Sequence, residues 1–220
     1  MAVVEIQITS DFICPWCWIG HRHLTRAINQ SGARHAVAVA HQPFELNPEM
    51  PKAGVSRRSY RTAKFGSWER SQARDIEVET AGRRAGLDMQ LSRIEVTPNT
   101  RIAHRLMAYA NTLGDESRVE GLYEAIFAAY FARGEHIGTT DVLVSIGASV
   151  GLDAKAARTW LDADAGEAEV VANEMRADLD GIRAVPTVRI GNTLIQGAQP
   201  VPVFLNALDN ELMLSVSHKA

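Results

Sequence analysis

Cysteine is nearly absent from this chain: two occur in 220 residues, at Cys14 and Cys17. A disulfide-stapled scaffold needs more of them, joined at longer range, so that class is excluded. Charge of one sign is also missing, with 23 Lys and Arg against 26 Asp and Glu and a formal net charge of -3. No broad basic surface follows, which argues against nucleic acid as a partner. No run approaches the ~20 apolar residues that a membrane-spanning helix needs. The opening Met1-Ala2-Val3-Val4-Glu5-Ile6 lacks the pattern of a secretory signal, and the ends carry no lipidation motif. Internal repeats and low-complexity segments are not found. The expectation is a cytoplasmic protein with no membrane partner. What is there is ordinary globular composition, 46% hydrophobic and 22% charged. The length suits one large domain or a core domain carrying an insertion.

Apolar spacing divides the chain into three stretches. Residues 3–9 alternate as a strand, and Ser10-Asp11 end it. Ile19, Leu24, Ala27 and Ile28 fit a helix that stops at Gly32, and residues 36–42 read as a second strand with Val37 and Val39 on one face. This opening is a βαβ unit. Residues 43–60 contain Pro43, Pro48, Pro51 and Gly54 and read as a loop. Helical spacing then fills 69–85, 100–113, 118–132, 140–149, 153–162 and 164–180, with no convincing strand. Thr140 and Asp153 are candidate N-caps. The stripe from Val119 to Phe131 is the strongest, and is read as helical core rather than a dimer face. Strand character returns at 186–190 and 193–196 around a Gly191-Asn192 turn. A closing helix covers 200–213, and the tail from Ser215 is expected to fray. The order predicts an α/β fold whose first part (1–59) and last part (181–220) share one sheet, with an inserted helical subdomain at 60–180.

The chemistry concentrates at Cys14-Pro15-Trp16-Cys17. Two cysteines three apart at a helix start are close enough to bridge. The free N–H groups of a first helical turn and the helix dipole favour a thiolate at the leading position. Pro15 suits that turn because its missing N–H costs nothing there. A dithiol so placed attacks a substrate disulfide through Cys14 and resolves the mixed disulfide through Cys17, or runs in reverse. The competing reading is half a zinc site completed by His21 and His23. Their spacing fits no standard finger and no second cysteine pair exists, so no metal is expected. The two histidines read as solvated helix residues, Trp18 as core, and Trp16 as a shield and docking surface for the dithiol.

Pro186, in Val185-Pro186-Thr187, admits a plain reading as the proline that opens a strand. With the dithiol upstream and a βαβ…ββα order, the sharper reading is a cis-proline beside the cysteines. It would shape a groove in which substrate backbone pairs with Val185.

Together these segments resemble the thioredoxin superfamily, and within it the DsbA-like branch with a helical insertion, closest to FrnE-type cytoplasmic oxidoreductases. The resemblance runs through Asp11–Gly20, Gln42–Pro48, Asn99-Thr100, Ala103-His104-Arg105, Ala129-Tyr130-Phe131, Val185-Pro186-Thr187 and Gly197–Pro200. It implies a thioredoxin-like fold with a central mixed sheet. Cys14 would be the exposed nucleophile, Cys17 its buried partner and Pro186 the cis-proline. Two positions depart from the expected pattern: Ala184 stands where a glycine is expected, and Val188 where a phenylalanine is.

The expected activity is protein disulfide oxidase or isomerase chemistry on protein or small-molecule thiols and disulfides. The cofactor is the Cys14–Cys17 disulfide itself, with glutathione as a candidate co-substrate. The branch also includes glutathione-dependent transferases and 2-hydroxychromene-2-carboxylate isomerases. That likeness makes a glutathione-dependent reaction on a small aromatic or polyketide substrate the alternative. It nominates Ser10, Asn99 and Thr100 as glutathione or substrate contacts, although Thr100 also reads as a helix cap. Both a monomer and a homodimer are compatible with the sequence.

Overall fold

The computed structural model describes residues 3–33 and 36–217. In chain order it contains β1 (Val4–Ser10), α1 (Pro15–Gln30), β2 (Val37–Pro43), β3 (Val55–Ser56), α2 (Arg57–Phe65), α3 (Trp68–Ala85), β4 (Val96–Thr97) and α4 (Arg101–Thr112). There follow α5 (Glu116–Phe131), α6 (Thr140–Ser149), α7 (Ala154–Asp162), α8 (Glu167–Leu179), β5 (Thr187–Ile190), β6 (Thr193–Gln196) and α9 (Val201–Ser217). The chain packs as two compact units. One comprises the residues up to Phe44 together with those from Glu174 onward, and the other is Glu45–Asn173.

The first unit is built on a mixed four-stranded sheet in the order β2-β1-β5-β6. β1 runs parallel to β2 in the register Ile6 to Val39, and antiparallel to β5 with Ile6 opposite Ile190. A parallel neighbour requires a crossover, which α1 supplies. β5 and β6 form a hairpin in which Ile190 faces Thr193 across the Gly191-Asn192 turn. Gly191 sits there at φ +52°, where a side chain would be strained. The alternating Val4, Ile6 and Ile8 of β1 meet Leu24, Ala27 and Ile28 of α1, Val188 and Ile190 of β5, and Phe204, Ala207 and Leu208 of α9 in one core. Both ends of the chain therefore share a sheet, as the apolar pattern implies. Of the tail, Ser215–Ser217 continue α9, and 218–220 lie outside the described residues.

The second unit is helical around α5. Its stripe is buried throughout, Val119, Leu122, Tyr123, Ile126, Phe127, Tyr130 and Phe131 included. The Tyr123 and Phe127 rings meet edge-on at 4.9 Å between centroids, a favoured aromatic geometry. Asp153 caps α7 by accepting from the Ala156 amide at 2.7 Å. Three expectations need correction here. The 43–60 segment ends in α2 rather than in loop, because α2 is a polar helix with no apolar stripe to announce it. A two-residue pair, β3 with β4, places a small sheet inside the helical stretch, with Val55 opposite Thr97. Thr140 is the first residue of α6 and Thr139 occupies its cap, where the Thr139 hydroxyl donates to the His136 carbonyl instead of capping the helix.

Candidate active site

Helix α1 starts where β1 has delivered the chain to the edge of the core. Asp11 turns it: its carbonyl accepts from the Cys14 amide at 3.0 Å. Cys14 occupies the N-cap with extended backbone, φ -97° and ψ 106°, and Pro15 begins the helix. The Cys17 amide closes the first turn on the Cys14 carbonyl at 3.0 Å. Both cysteines are free thiols.

The two sulfurs differ in surroundings. Cys17 is 0% exposed and Cys14 6%. Burial pushes the Cys17 thiol well above its ordinary value, and the hydrogen bond to Cys14 and the Cys14 charge push it further. The Cys17 proton is therefore held firmly in the reduced pair. Cys14 is the less buried of the two, but the expectation of an exposed nucleophile is corrected: its Sγ turns inward and donates to the Val185 carbonyl at 3.7 Å. Trp16, between them, is 41% exposed, while Trp18 is buried.

Val185 and Pro186 arrive at this sulfur from the far end of the sequence. Their peptide bond is cis, and the Thr187 hydroxyl donates to the Ala184 carbonyl at 2.7 Å. Of the two departures noted above, Val188 joins the core and Ala184 supplies the carbonyl that the Thr187 hydroxyl bonds. The Pro186 carbonyl accepts from the Gly197 amide at 2.8 Å, which ties the residues after β6 to the proline. Gly20 of α1 faces both: a Cβ there would lie 3.3 Å from Pro186 Cγ and 3.3 Å from Ala198 Cα. The glycine lets the helix backbone approach the proline loop. Its place three residues past the second cysteine was the available signal, and sequence reasoning assigned it no role.

Of the two histidines expected to be solvated, His21 is buried, and that reading of it is corrected. The buried face of α1 is wide, running through Cys17, Trp18, Ile19, Gly20 and His21. His21 accordingly lies inside, its ring 5.8 Å from that of His41, and His23 is half-buried.

Ser10 lies at the end of β1, buried, with its carbonyl accepting from the Phe44 amide. Asn99 and Thr100 belong to the helical unit. Thr100 holds the N-cap position of α4 and is buried, but its side chain does not cap. That work falls to Asn99, whose Oδ1 accepts from the Arg101 amide at 3.0 Å while its amide donates to the Met50 carbonyl. Sequence reasoning also passed over Arg101 as an ion-pair centre. It pairs with Glu45 and, at 2.7 Å, with Glu167. Arg101 and Glu167 border a cavity of about 760 Å³ whose lining also includes Met50, Lys52, Asn99, Arg105 and Asp164.

Residues 5–209 match the family described as DSBA-like thioredoxin domain. The crystal structure of a probable DsbA oxidoreductase from Streptomyces coelicolor is 31% identical, with a TM-score of 0.86, covering 94% of this chain and 89% of that one. An uncharacterised Bacillus subtilis protein, YwbO, is 25% identical over 209 residues, 94% of this chain and 97% of its own. The cytosolic disulfide reductase DsbM from Pseudomonas aeruginosa, solved with GSH, shares the fold at 18% identity. Its TM-score is 0.63, covering 98% of this chain and 100% of that one.

Proposed function

The chain belongs to the DSBA-like thioredoxin domain family and is a thiol–disulfide oxidoreductase, and on that premise we propose that Cys14 attacks, Cys17 resolves, and Val185-Pro186 receive the substrate chain. The observation that carries this division of labour is the asymmetry of the two thiols. Cys17 is sealed and holds its proton, whereas Cys14 stands at the helix N-cap facing the Val185 carbonyl.

In the reducing direction the Cys14 thiolate attacks one sulfur of a substrate disulfide. That S–S bond breaks, and the second substrate sulfur leaves as a thiolate and takes up a proton. Cys14 is then bound to substrate, so its charge and its hydrogen bond no longer hold the proton on Cys17. The Cys17 thiol becomes easier to ionise at the moment it is needed. It loses its proton and attacks the Cys14 sulfur. The substrate sulfur that Cys14 had attacked departs as a thiolate and takes up a proton, and the enzyme pair is left as a disulfide with two electrons passed to substrate. The reverse sequence oxidises a substrate dithiol. Loss of the Cys14 proton, and then the mixed disulfide, frees the Val185 carbonyl from the Cys14 thiol, leaving it to accept from a substrate backbone N–H, as in strand addition.

The finer assignment is a cytoplasmic, FrnE-type oxidase or isomerase of protein disulfides. A single dithiol in a chain without other cysteines supports work in a reducing compartment. Glutathione is proposed as the small co-substrate that resets the pair, a reading favoured by the GSH held in the DsbM structure. Since Ser10 and Thr100 are buried, Asn99 is the more accessible of the three nominated contacts.

The test is trapping. Cys17→Ser incubated with a disulfide-bridged protein should accumulate a covalent enzyme–substrate species on non-reducing gels, and Cys14→Ser should neither trap nor exchange. Trapping by Cys14→Ser in place of Cys17→Ser would reverse the roles. Equilibration of the wild-type pair against glutathione buffers, followed by mass, reads the potential and hence the favoured direction.

A further inference from the structure

We infer that His23 is a positioning residue for the exchange reaction: it ties the dithiol helix to the turn after β6 that is bonded to Pro186. This rests on the thiol–disulfide reading above. His23 lies nine residues past Cys14, about 14 Å along the helix axis, so it does not touch the reacting sulfurs. Its Nδ1 lies 2.9 Å from the Gln199 carbonyl. A carbonyl only accepts, so Nδ1 carries the proton and donates.

Gln199 belongs to a short, internally bonded turn. The Gln199 amide donates to the Gly197 carbonyl at 2.9 Å, and its side-chain amide donates to the Gln196 carbonyl at 2.9 Å. The turn is fastened at its start to Pro186, through the Gly197 amide on the Pro186 carbonyl. Gly20 and His23 are three residues apart and share a face of α1. Gly20 lets α1 come close to Pro186 and Ala198, each of which would lie 3.3 Å from a Cβ there. His23 then supplies the polar bond at the far end of the same turn. The path runs from α1 through His23 to Gln199, Gly197 and Pro186, and returns to α1 through the Val185 carbonyl on Cys14. Closing this loop sets the spacing between the attacking sulfur and the backbone that receives substrate. Without His23, the turn loses this polar bond to the helix, and the receiving edge is freer to lift from Cys14.

The experiment compares wild type, His23→Leu and His23→Asn. Leucine keeps bulk and removes the donor; asparagine places an amide N–H where Nδ1 stood. Reduction of a disulfide-bridged peptide is measured with dithiothreitol as terminal reductant, beside the rate of Cys14 alkylation by iodoacetamide and the thermal midpoint. His23→Leu should raise KM by roughly three- to tenfold, the span of one lost hydrogen bond. In that variant kcat, alkylation and the midpoint should stay within twofold or a few degrees, and His23→Asn should recover most of the KM. An unchanged KM in His23→Leu overturns the inference. So does a parallel fall in alkylation and stability, or no recovery in His23→Asn. A wild type inactive on any disulfide overturns the underlying reading of function instead.

Discussion

A thiol enclosed by protein keeps its proton because the interior cannot solvate the anion. Cys17 is in that position, and its raised value has two readable consequences. At pH 7 to 8, iodoacetamide should modify one thiol of the folded, reduced protein, and the second only after denaturation. Mass spectrometry before and after guanidinium checks this, and two rapid modifications in the folded state would contradict it. The second consequence is linkage. An unfolded cysteine ionises near ~8.5, while the folded Cys17 holds its proton to higher pH. The folded state then binds more protons than the unfolded one above that point, so stability falls as pH rises. The stabilisation is complete below about pH 8.5 and is lost upward through the folded value. Urea melts of the reduced protein between pH 7 and 10 should show the decline, and Cys17→Ala should flatten it. Among the individual side chains, the cysteines could be ranked from sequence because a helix start is a local feature. The inward turn of the Cys14 sulfur could not, since the carbonyl it meets is 171 residues away.

Helices α2 and α3 illustrate the limits of periodicity. α2 presents Arg57, Tyr60 and Arg61 to its surroundings, and is joined to α3 by charge rather than by an apolar stripe. Arg57 Nη2 reaches both Asp75 oxygens, at 2.9 and 2.8 Å, and Arg61 Nη2 reaches Oδ1 at 2.6 Å. Burial lowers the Arg61 value and Asp75 opposes that shift. Arg61 Nε adds a bond to the Ser71 hydroxyl at 2.7 Å. Both Arg57 and Asp75 are buried. Removing the one carboxylate leaves a buried guanidinium without its counter-charge, which typically costs about 3–5 kcal/mol. Asp75→Ala should show a loss of that order in denaturant unfolding, and a loss below ~1 kcal/mol would mean that the cluster opens to water. Hydrophobic spacing located every helix in which an apolar face does the packing. It missed α2 because ion pairs leave no such pattern, and missed β3–β4 because two-residue strands are too short to alternate.

Across the molecule, each unit has its own packed interior. Phe204 is fully enclosed in the sheet unit and Phe127 in the helical one. Phe204→Ala should cost about 3–5 kcal/mol through lost burial and the cavity left behind. Urea unfolding followed by circular dichroism measures it, and a cost under ~1 kcal/mol would show that the core collapses to fill the space. No helix among the described residues is long and apolar enough to cross a membrane. The chain order βαβ, helices, ββα was legible because every element but α2, β3 and β4 declares itself within a few residues, by alternation, helical spacing or a Gly-Asn turn. The same local rules placed the dithiol at a helix start and the proline before a strand. The element order also set Pro186 beside the dithiol; what the fold alone decided is which atoms pair. Sequence spacing carries no information on which carbonyl meets the Cys14 thiol, or that His23 binds a carbonyl 176 residues on. Those partners are chosen when β5 pairs with β1, a long-range closure that no local pattern encodes.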